Sequence, residues 1–167
     1  IDVAASFLPV GSTAVWTGNG ADAKASTPAN WQGEAVPLPG QSIELTGDKD
    51  MIWDLDQPVR DWTQTEYSGT VTISTVFPES AATGSKCLVI SGDAVLSSGT
   101  WTHLANNETR DYRLYAKVCG NLTVGADMVI QADGKGYQKC VAVNGKKPDG
   151  TLQGGSYGGH GGIGNGT

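Results

Sequence analysis

"ISGDAVLSSGTWTH" (residues 90–103) and "VCGNLTVGADMVIQ" (118–131) carry the same order of residue types. Each begins with an apolar residue, a small residue and a glycine. A polar residue and an alternating apolar run follow, and a second glycine interrupts that run. The interval from Gly92 to Gly120, the first glycines of the two copies, falls within the period of roughly 20 to 30 residues that is typical of a parallel β-solenoid coil. The two copies therefore predict a right-handed parallel β-solenoid, also called a β-helix.

Short apolar runs recur along the chain, and each ends near Gly, Asn or Asp. No ten-residue window shows the apolar spacing of a helix, so the sequence predicts an all-β protein. The alternative fold is a β-sandwich, in which residues 71–75 would pair antiparallel with residues 88–91. The runs are "SIELT" (42–46), "GTVTIST" (69–75), "KCLVISG" (86–92), "NLTVG" (121–125), "DMVIQA" (127–132) and "CVAVNG" (140–145).

The N-terminal part of the sequence differs from the rest. It is rich in turn residues, and Pro37 and Pro39 exclude a central strand there. A solenoid needs a cap at its first coil, because that coil would otherwise expose an apolar end and an unpaired edge. We expect an irregular cap with the first strands at 1–62, solenoid coils at 63–144, and a glycine-rich connection into a longer parent chain at 145–167. Four tryptophans are large enough to plug the cap: Trp16, Trp31, Trp53 and Trp62.

The segment "VWTGNG…ANWQGEAVPLPGQSIEL" resembles the opening of bacterial secreted β-solenoid proteins of the autotransporter-passenger or adhesin kind. Those proteins often begin with W-x-G-x-G, followed by N-W-x-x-G-x-x-P-x-x-G and a strand. "YSGTVTI" (67–73) resembles the strand that commonly follows, and "GGSYGGHGG" (154–162) resembles their glycine-rich block. The resemblance implies a secreted or cell-surface solenoid and says little about activity. The matching positions are Trp16, Gly18, Gly20, Asn30, Trp31, Gly33, Pro37 and Gly40.

The charge of the chain restricts its partners. The formal net charge is −6, and only 17% of the residues are charged, against about 25% in typical soluble domains. Nucleic acids and anionic membranes need clustered Lys and Arg, so we expect neither as a partner. No apolar run is long enough for a membrane span. The hydroxyl-rich, weakly charged composition is common in secreted all-β proteins, which agrees with an extracellular or cell-surface location.

The densest group of acidic residues lies in "TGDKDMIWDLDQ" (46–57). Carboxylate oxygens at this density are ligands that Ca²⁺ accepts, although the D-x-D-x-D-G calcium loop is absent. A carboxylate pair could also serve glycoside chemistry, and solvated turns are the commonest role of such aspartates. We therefore keep Ca²⁺ as a candidate ligand and name no catalytic residue. The candidate metal ligands are Asp48, Asp50, Asp54 and Asp56.

Aromatic residues in and beside "THLANNETRDYRLY" (102–115) form a candidate carbohydrate site: Trp101, Tyr112 and Tyr115. Flat apolar rings suit pyranose faces, and long loops on a rigid scaffold commonly carry function. The alternative is that these rings pack in the core or at an edge.

Three cysteines leave at least one thiol without a partner in the chain. If one coil had the length of the interval from Cys119 to Cys140, these two residues would stack on adjacent turns. Stacked in this way, they would lie within reach of a disulfide.

We expect a non-catalytic structural or adhesion module, with polysaccharide or other cell-surface components as partners. Two alternatives stay open at this point. The chain could be the N-terminal part of a polysaccharide-processing enzyme, either a lyase or a glycoside hydrolase. It could also be a subunit of a self-assembling filament, because an open solenoid end is a template for another strand.

Overall fold

The computed structural model describes residues 11–77, 84, 86–106 and 111–136. These residues form an all-β solenoid of about four turns, which confirms the predicted fold class. The predicted strand at 140–145 and the glycine-rich segment 145–167 lie outside the described residues. The strands are β1 (Thr13–Val15), β2 (Ser42–Gly47), β3 (Met51–Trp53), β4 (Trp62–Tyr67), β5 (Thr70–Ile73), β6 (Thr75–Val76), β7 (Leu88–Ile90), β8 (Ala94–His103), β9 (Tyr112–Arg113), β10 (Ala116–Val118) and β11 (Leu122–Ile130), with one 3-10 helix at Pro28–Asn30.

Parallel strands form three faces of the solenoid, and one turn of the chain through these faces is a rung. The first face contains β1, β2, β4 and the N-terminal halves of β8 and β11. The second face contains β3, β5 and the C-terminal halves of β8 and β11. The third face contains β7 and β10, and Val59 bridges to Ile90 beside them. Because β8 and β11 run around the corner between two faces, both faces belong to one hydrogen-bonded sheet.

The strand pairing decides between the solenoid and the sandwich. β5 pairs in parallel with β3 on one side and with β8 on the other. The sandwich alternative required β5 to pair antiparallel with the segment around β7, so it is wrong. Among the named strands of the described residues, only the short pair of β6 and β9 is antiparallel. That pair lies at the insertion between the second and third faces.

The register shows that the rungs differ in length. Leu122 pairs with Ala94, and Ala94 pairs with Trp62. Directly before Leu122, Asn121 contacts Asp93, which is 28 positions earlier in the sequence. Directly before Ala94, Asp93 contacts Asp61, which is 32 positions earlier. The interval between the two sequence copies is therefore the true rung length at this end. The rung from Ile43 to Trp62 is shorter, since the contact beside it joins positions only 19 apart. Loop length between the faces absorbs the difference, because the strands themselves must stay stacked.

Alternating residues of the strands fill the interior, as period-2 patterning requires. Trp53 packs edge-on against Trp62 at 5.2 Å between ring centroids, and Trp62 packs edge-on against Trp101 at 5.6 Å. Such T-shaped pairs are favoured by the ring quadrupoles. This tryptophan column lies within the solenoid core. The fully buried side chains include Trp31, Trp53, Trp62, Tyr67, Ile43, Leu45, Met51, Ile73, Leu88, Ile90 and Leu96.

The prediction that four tryptophans plug the N-terminal cap is half correct. Trp16 and Trp31 do lie there, edge-on at 5.1 Å and joined by an antiparallel bridge. Trp53 and Trp62 instead belong to the rungs behind the cap. Both occupy inward-facing positions of the alternating strands β3 and β4, and both are fully buried. Solenoid rungs are thus already present within residues 1–62.

Asn30 organises the irregular part of the cap. Its buried side chain donates to the carbonyl oxygens of Asp22 and Lys24 at 2.8 and 2.9 Å, and it accepts the backbone N–H of Gly20 at 2.7 Å. A Cβ atom at Gly20 would lie 2.6 Å from the Asn30 Oδ1 atom, so this position requires glycine. The N-terminal glycine and asparagine pattern therefore has a packing reason in this chain.

Candidate functional site

One corner of the solenoid carries a column of polar side chains, one from each of four successive rungs. We call it the corner ladder, and its members are Ser42, Asp61, Asp93 and Asn121. Asp61 accepts the hydroxyl of Ser42 at 3.0 Å and the backbone N–H of Asp93 at 3.1 Å. Asp93 in turn accepts the backbone N–H of Asn121 at 2.7 Å and its side-chain amide at 3.2 Å. Each side chain thus ties its own rung to a neighbour.

The glycine before each of the last two ladder members is required by close approach. The Gly120 N–H donates to the Gly92 carbonyl at 2.9 Å. A Cβ atom at Gly120 would lie 2.6 Å from the same carbonyl oxygen and 2.3 Å from the Asp93 Oδ1 atom. The backbones of adjacent rungs approach closely here, which only glycine permits. The first glycines of the two sequence copies, Gly92 and Gly120, are therefore corner positions at which adjacent rungs approach closely.

The four aspartates predicted as metal ligands lie in different places. Asp54 accepts the backbone N–H and the hydroxyl of Ser26 at 2.9 and 2.7 Å. Asp50 accepts the backbone N–H of Thr70 at 2.7 Å. Both carboxylates therefore link neighbouring rungs, while Asp48 and Asp56 are exposed. Within the described residues, which include all four, no three His, Cys, Asp or Glu side chains are grouped to hold a metal ion. Calcium binding stays a prediction, and the geometry does not strengthen it.

The three aromatic residues predicted as a carbohydrate platform do not share a surface. Trp101 is only 3% exposed, and its indole N–H donates to Gln64 Oε1 at 2.9 Å inside the core. It cannot stack on a sugar, so this part of the prediction is wrong. Tyr112 is partly buried in β9. Tyr115 is 40% exposed, and the Arg113 guanidinium covers one ring face at 4.4 Å from the centroid. Of the three, Tyr115 is the most exposed to solvent.

The buried side chain of Asn106 helps to fix the insertion that carries Tyr112 and Tyr115, beside the pairing of β6 with β9. Asn106 Oδ1 accepts the backbone N–H groups of Asp111 and Tyr112 at 2.8 and 2.7 Å. Its Nδ2 donates to the carbonyl oxygens of Tyr112 and Lys135 at 2.9 and 3.3 Å. The insertion is therefore held against the chain that follows β11.

The described residues include only one of the two cysteines of the predicted disulfide. Cys119 is exposed at the start of the last described rung, where its N–H donates to the Ile90 carbonyl at 2.8 Å. Cys140 lies outside the described residues. Leu88 pairs with Ala116, so the rung that leads to Cys119 is longer than the interval from Cys119 to Cys140. The shorter coil that suggested the bridge is therefore not observed at this end of the solenoid, and the disulfide stays a prediction.

Sequence reasoning missed the corner ladder and the buried Gln64. A signal for the ladder exists in "RDW" (60–62), "GDA" (92–94) and "GNL" (120–122). In each, Asp or Asn comes directly before the first core-facing residue of a rung. Gln64 has no comparable signal, because "TQTEY" (63–67) has the composition of an exposed strand.

The fold and these contacts define the protein as a β-solenoid whose polar side chains mainly join one rung to the next. Comparison with protein-family models, with curated proteins and with solved structures finds no match. The resemblance to autotransporter-passenger and adhesin solenoids therefore rests on the motif positions alone. Among the described residues, no helix has the length and apolar character needed to cross a membrane.

Proposed function

We propose that the chain is a non-catalytic structural module of an extracellular or cell-surface β-solenoid protein. The observation that carries this proposal is the continuity of contacts along the axis. The corner ladder joins four rungs at the surface, and the column of Trp53, Trp62 and Trp101 joins three of them in the core. A module with such contacts behaves as a stiff spacer, because axial load is shared between stacked strands and stacked side chains.

The polar groups that could have formed a site support the same proposal. Asp50, Asp54, Asp61 and Asp93 all accept backbone N–H groups of other rungs. A carboxylate engaged in this way stabilises the stacking of one rung on the next. These four aspartates are thus engaged in joining the rungs of the solenoid.

Single-molecule pulling on the full chain tests the structural role. The chain is placed between two marker domains and stretched by its termini. We expect the described rungs to unfold as one cooperative event, and we expect Asp93→Ala to lower the unfolding force. Asp93→Asn retains an acceptor oxygen and is the matched control. Unfolding rung by rung at low force would contradict the proposal, as would release of reducing or unsaturated ends from a panel of polysaccharides.

A second candidate function is adhesion to polysaccharide through the insertion at 104–115. The observation that favours it is the exposed ring of Tyr115, which Arg113 supports from one side. A supported ring has little rotational freedom to lose on binding, and a sugar could stack on its open face. A glycan array probed with the wild-type chain and with Tyr115→Ala tests this. Tyr112→Ala is the matched control, and equal binding by all three proteins, or by none, would exclude the site.

A further inference from the structure

The last described rung exposes residues that face the solenoid core. Leu122 is in register with Ala94, and Ile130 is in register with Trp101. Ala94 and Trp101 are 0% and 3% exposed, whereas Leu122 and Ile130 are 53% and 51% exposed. The difference arises because, within the described residues, β11 has a neighbouring strand on one side only, β8. An unpaired strand edge combined with a half-exposed apolar interior is a template for another strand.

The core-facing residues of β11 are arranged symmetrically about Ala126. Leu122 and Ile130 lie four residues to either side, and Val124 and Met128 lie two residues to either side. In an antiparallel pair of two β11 strands centred on Ala126, Leu122 therefore faces Ile130 of the second copy. Val124 faces Met128 in the same way. Every core-facing position then meets an apolar residue.

The bend of β11 is compatible with this pairing. The register is irregular between Val124 and Asp127, where the strand turns from the first face to the second. A two-fold axis along the bisector of that corner exchanges the two arms of the bend. The first face of one copy then lies on the second face of the other, and both apolar interiors remain enclosed.

Charge does not oppose the association at this strand. Asp127 is the one charged residue between Leu122 and Ile130. In the centred antiparallel pair it lies opposite Gly125, so the two Asp127 carboxylates are not placed against each other. Like charges directly opposite would destabilise such a pair.

Within the described residues, the cap covers the other end of the solenoid. The outer edge of β1 is covered by the cap, since the Val15 carbonyl accepts the N–H of Gln32 at 2.9 Å. Trp16 and Trp31 bridge beside it. A self-complementary strand edge associates through an isologous contact, which closes at two copies. We propose that two copies of this chain associate head to head through β11. This inference rests on the fold and is independent of the proposed function.

Sedimentation velocity on the full chain over a wide concentration range tests the association. The wild type should shift reversibly to twice the monomer mass. Val124→Lys places a charge in the enclosed interior and should raise the dimer Kd by at least about tenfold, since each 1.4 kcal/mol is a factor of ten. Val129→Lys is the matched control. Val129 is 48% exposed, close to the 50% of Val124. It pairs with Thr100, the neighbour of the core-facing Trp101, so its side chain points away from the core. This variant should leave the dimer intact.

A charge exchange tests the register directly. Leu122→Lys and Ile130→Glu should each weaken self-association, and an equimolar mixture should form a mixed dimer in which the new lysine faces the new glutamate. Circular dichroism confirms that both variants are folded. A wild type that is monomeric at every concentration would overturn the proposal and indicate that residues 137–167 or another occupant covers β11. Equal effects of Val124→Lys and Val129→Lys, or no mixed dimer, would overturn it as well.

Discussion

Gln64 and Trp101 are joined inside the solenoid, where the Gln64 Oε1 atom accepts the Trp101 indole N–H at 2.9 Å. The Gln64 Nε2 atom donates to the Ser98 carbonyl at 2.6 Å. The amide is fully buried, so it must find its partners within the protein. It links β4 to β8 and holds Trp101 edge-on against Trp62. A polar side chain thus sets the geometry of the tryptophan column.

Gln64→Leu tests the importance of this amide. Leucine is similar in size but leaves the Trp101 N–H and the Ser98 carbonyl without their partner. We expect the free energy of unfolding to fall by about 2–4 kcal/mol, since each unsatisfied buried group costs about 1–3 kcal/mol. Urea denaturation followed by tryptophan fluorescence measures it. Gln131→Leu, at an exposed position, should change stability by no more than about 0.5 kcal/mol. Wild-type stability in Gln64→Leu would contradict this account.

The corner ladder gives a second prediction. Asp93→Ala removes the acceptor for the Asn121 backbone N–H and side-chain amide, and we expect a loss of about 1–2 kcal/mol in the free energy of unfolding. Asp93→Asn keeps an acceptor oxygen and should lose less than half of that amount. Asp133→Ala, in an exposed turn, is the control and should be neutral. Equal losses for Asp93→Ala and Asp93→Asn would show that the charge, and not the hydrogen bond, stabilises the corner.

Much of the fold could be predicted because strands have a simple signature. Alternating apolar residues between turn residues identified β2, β5, β7 and β11, and the repeated glycine before a polar residue gave the rung length at the C-terminal end. These signals are local, and stacking preserves them from rung to rung. The sandwich alternative could not be excluded from the sequence, since the direction of strand pairing depends on connections that alternation does not encode.

The position of Trp101 shows where sequence reasoning fails. It lies directly before the insertion, so it was grouped with Tyr112 and Tyr115 as a candidate surface residue, with packing in the core as the alternative. β8 turns a corner before it reaches Trp101, and such corners change which residues face inward. Gly99 adopts a positive φ of 92° at that corner. Side-chain direction after a corner follows from the register with Val71 and Ile130, which the sequence alone does not contain.

The aspartates illustrate a different limit. Asp50 and Asp54 were grouped with Asp48 and Asp56 because they are close in sequence. In the structure, Asp50 and Asp54 instead interact with residues 20 and 28 positions away. Proximity in sequence is a poor guide to side-chain contacts in a solenoid, because a residue packs against residues that lie one rung away.

Tyr67 should make the folded chain less stable at alkaline pH. Its hydroxyl donates to the Lys49 carbonyl at 2.7 Å. Burial of the ring, with a smaller effect from the charge of Asp50, raises the pKa of the phenol above its ordinary value. Above about pH 10, the unfolded chain therefore loses this proton while the folded chain retains it. The free energy of unfolding should fall with rising pH, by at most about 1.4 kcal/mol per pH unit from this group.

Tyr67→Phe is the variant that isolates this effect. It should be less stable than the wild type at pH 7, because the hydrogen bond is lost, but its stability should fall less steeply above pH 10. Asp50→Asn keeps the acceptor for Thr70 and removes the charge. Its alkaline decline should begin at the same pH as that of the wild type, because the pKa of Tyr67 in the unfolded chain sets the onset. Urea denaturation at a series of pH values from 7 to 11 measures both. Parallel curves for the wild type and Tyr67→Phe would contradict the assignment.

Asn106 should control the insertion without controlling the solenoid. Asn106→Ala removes the acceptor for the N–H groups of Asp111 and Tyr112 and the donor to two carbonyls. We expect amide hydrogen exchange of residues 111–113 to accelerate by at least about tenfold, since losing even one such bond costs about 1 kcal/mol and two donors lose theirs here. Asn106→Asp keeps the acceptor oxygens and should show a smaller acceleration. Exchange in β4 and β8 should not change in either variant, because their hydrogen bonds belong to the stacked faces. Acceleration throughout the solenoid would show that the insertion and the rungs open together and would contradict this division.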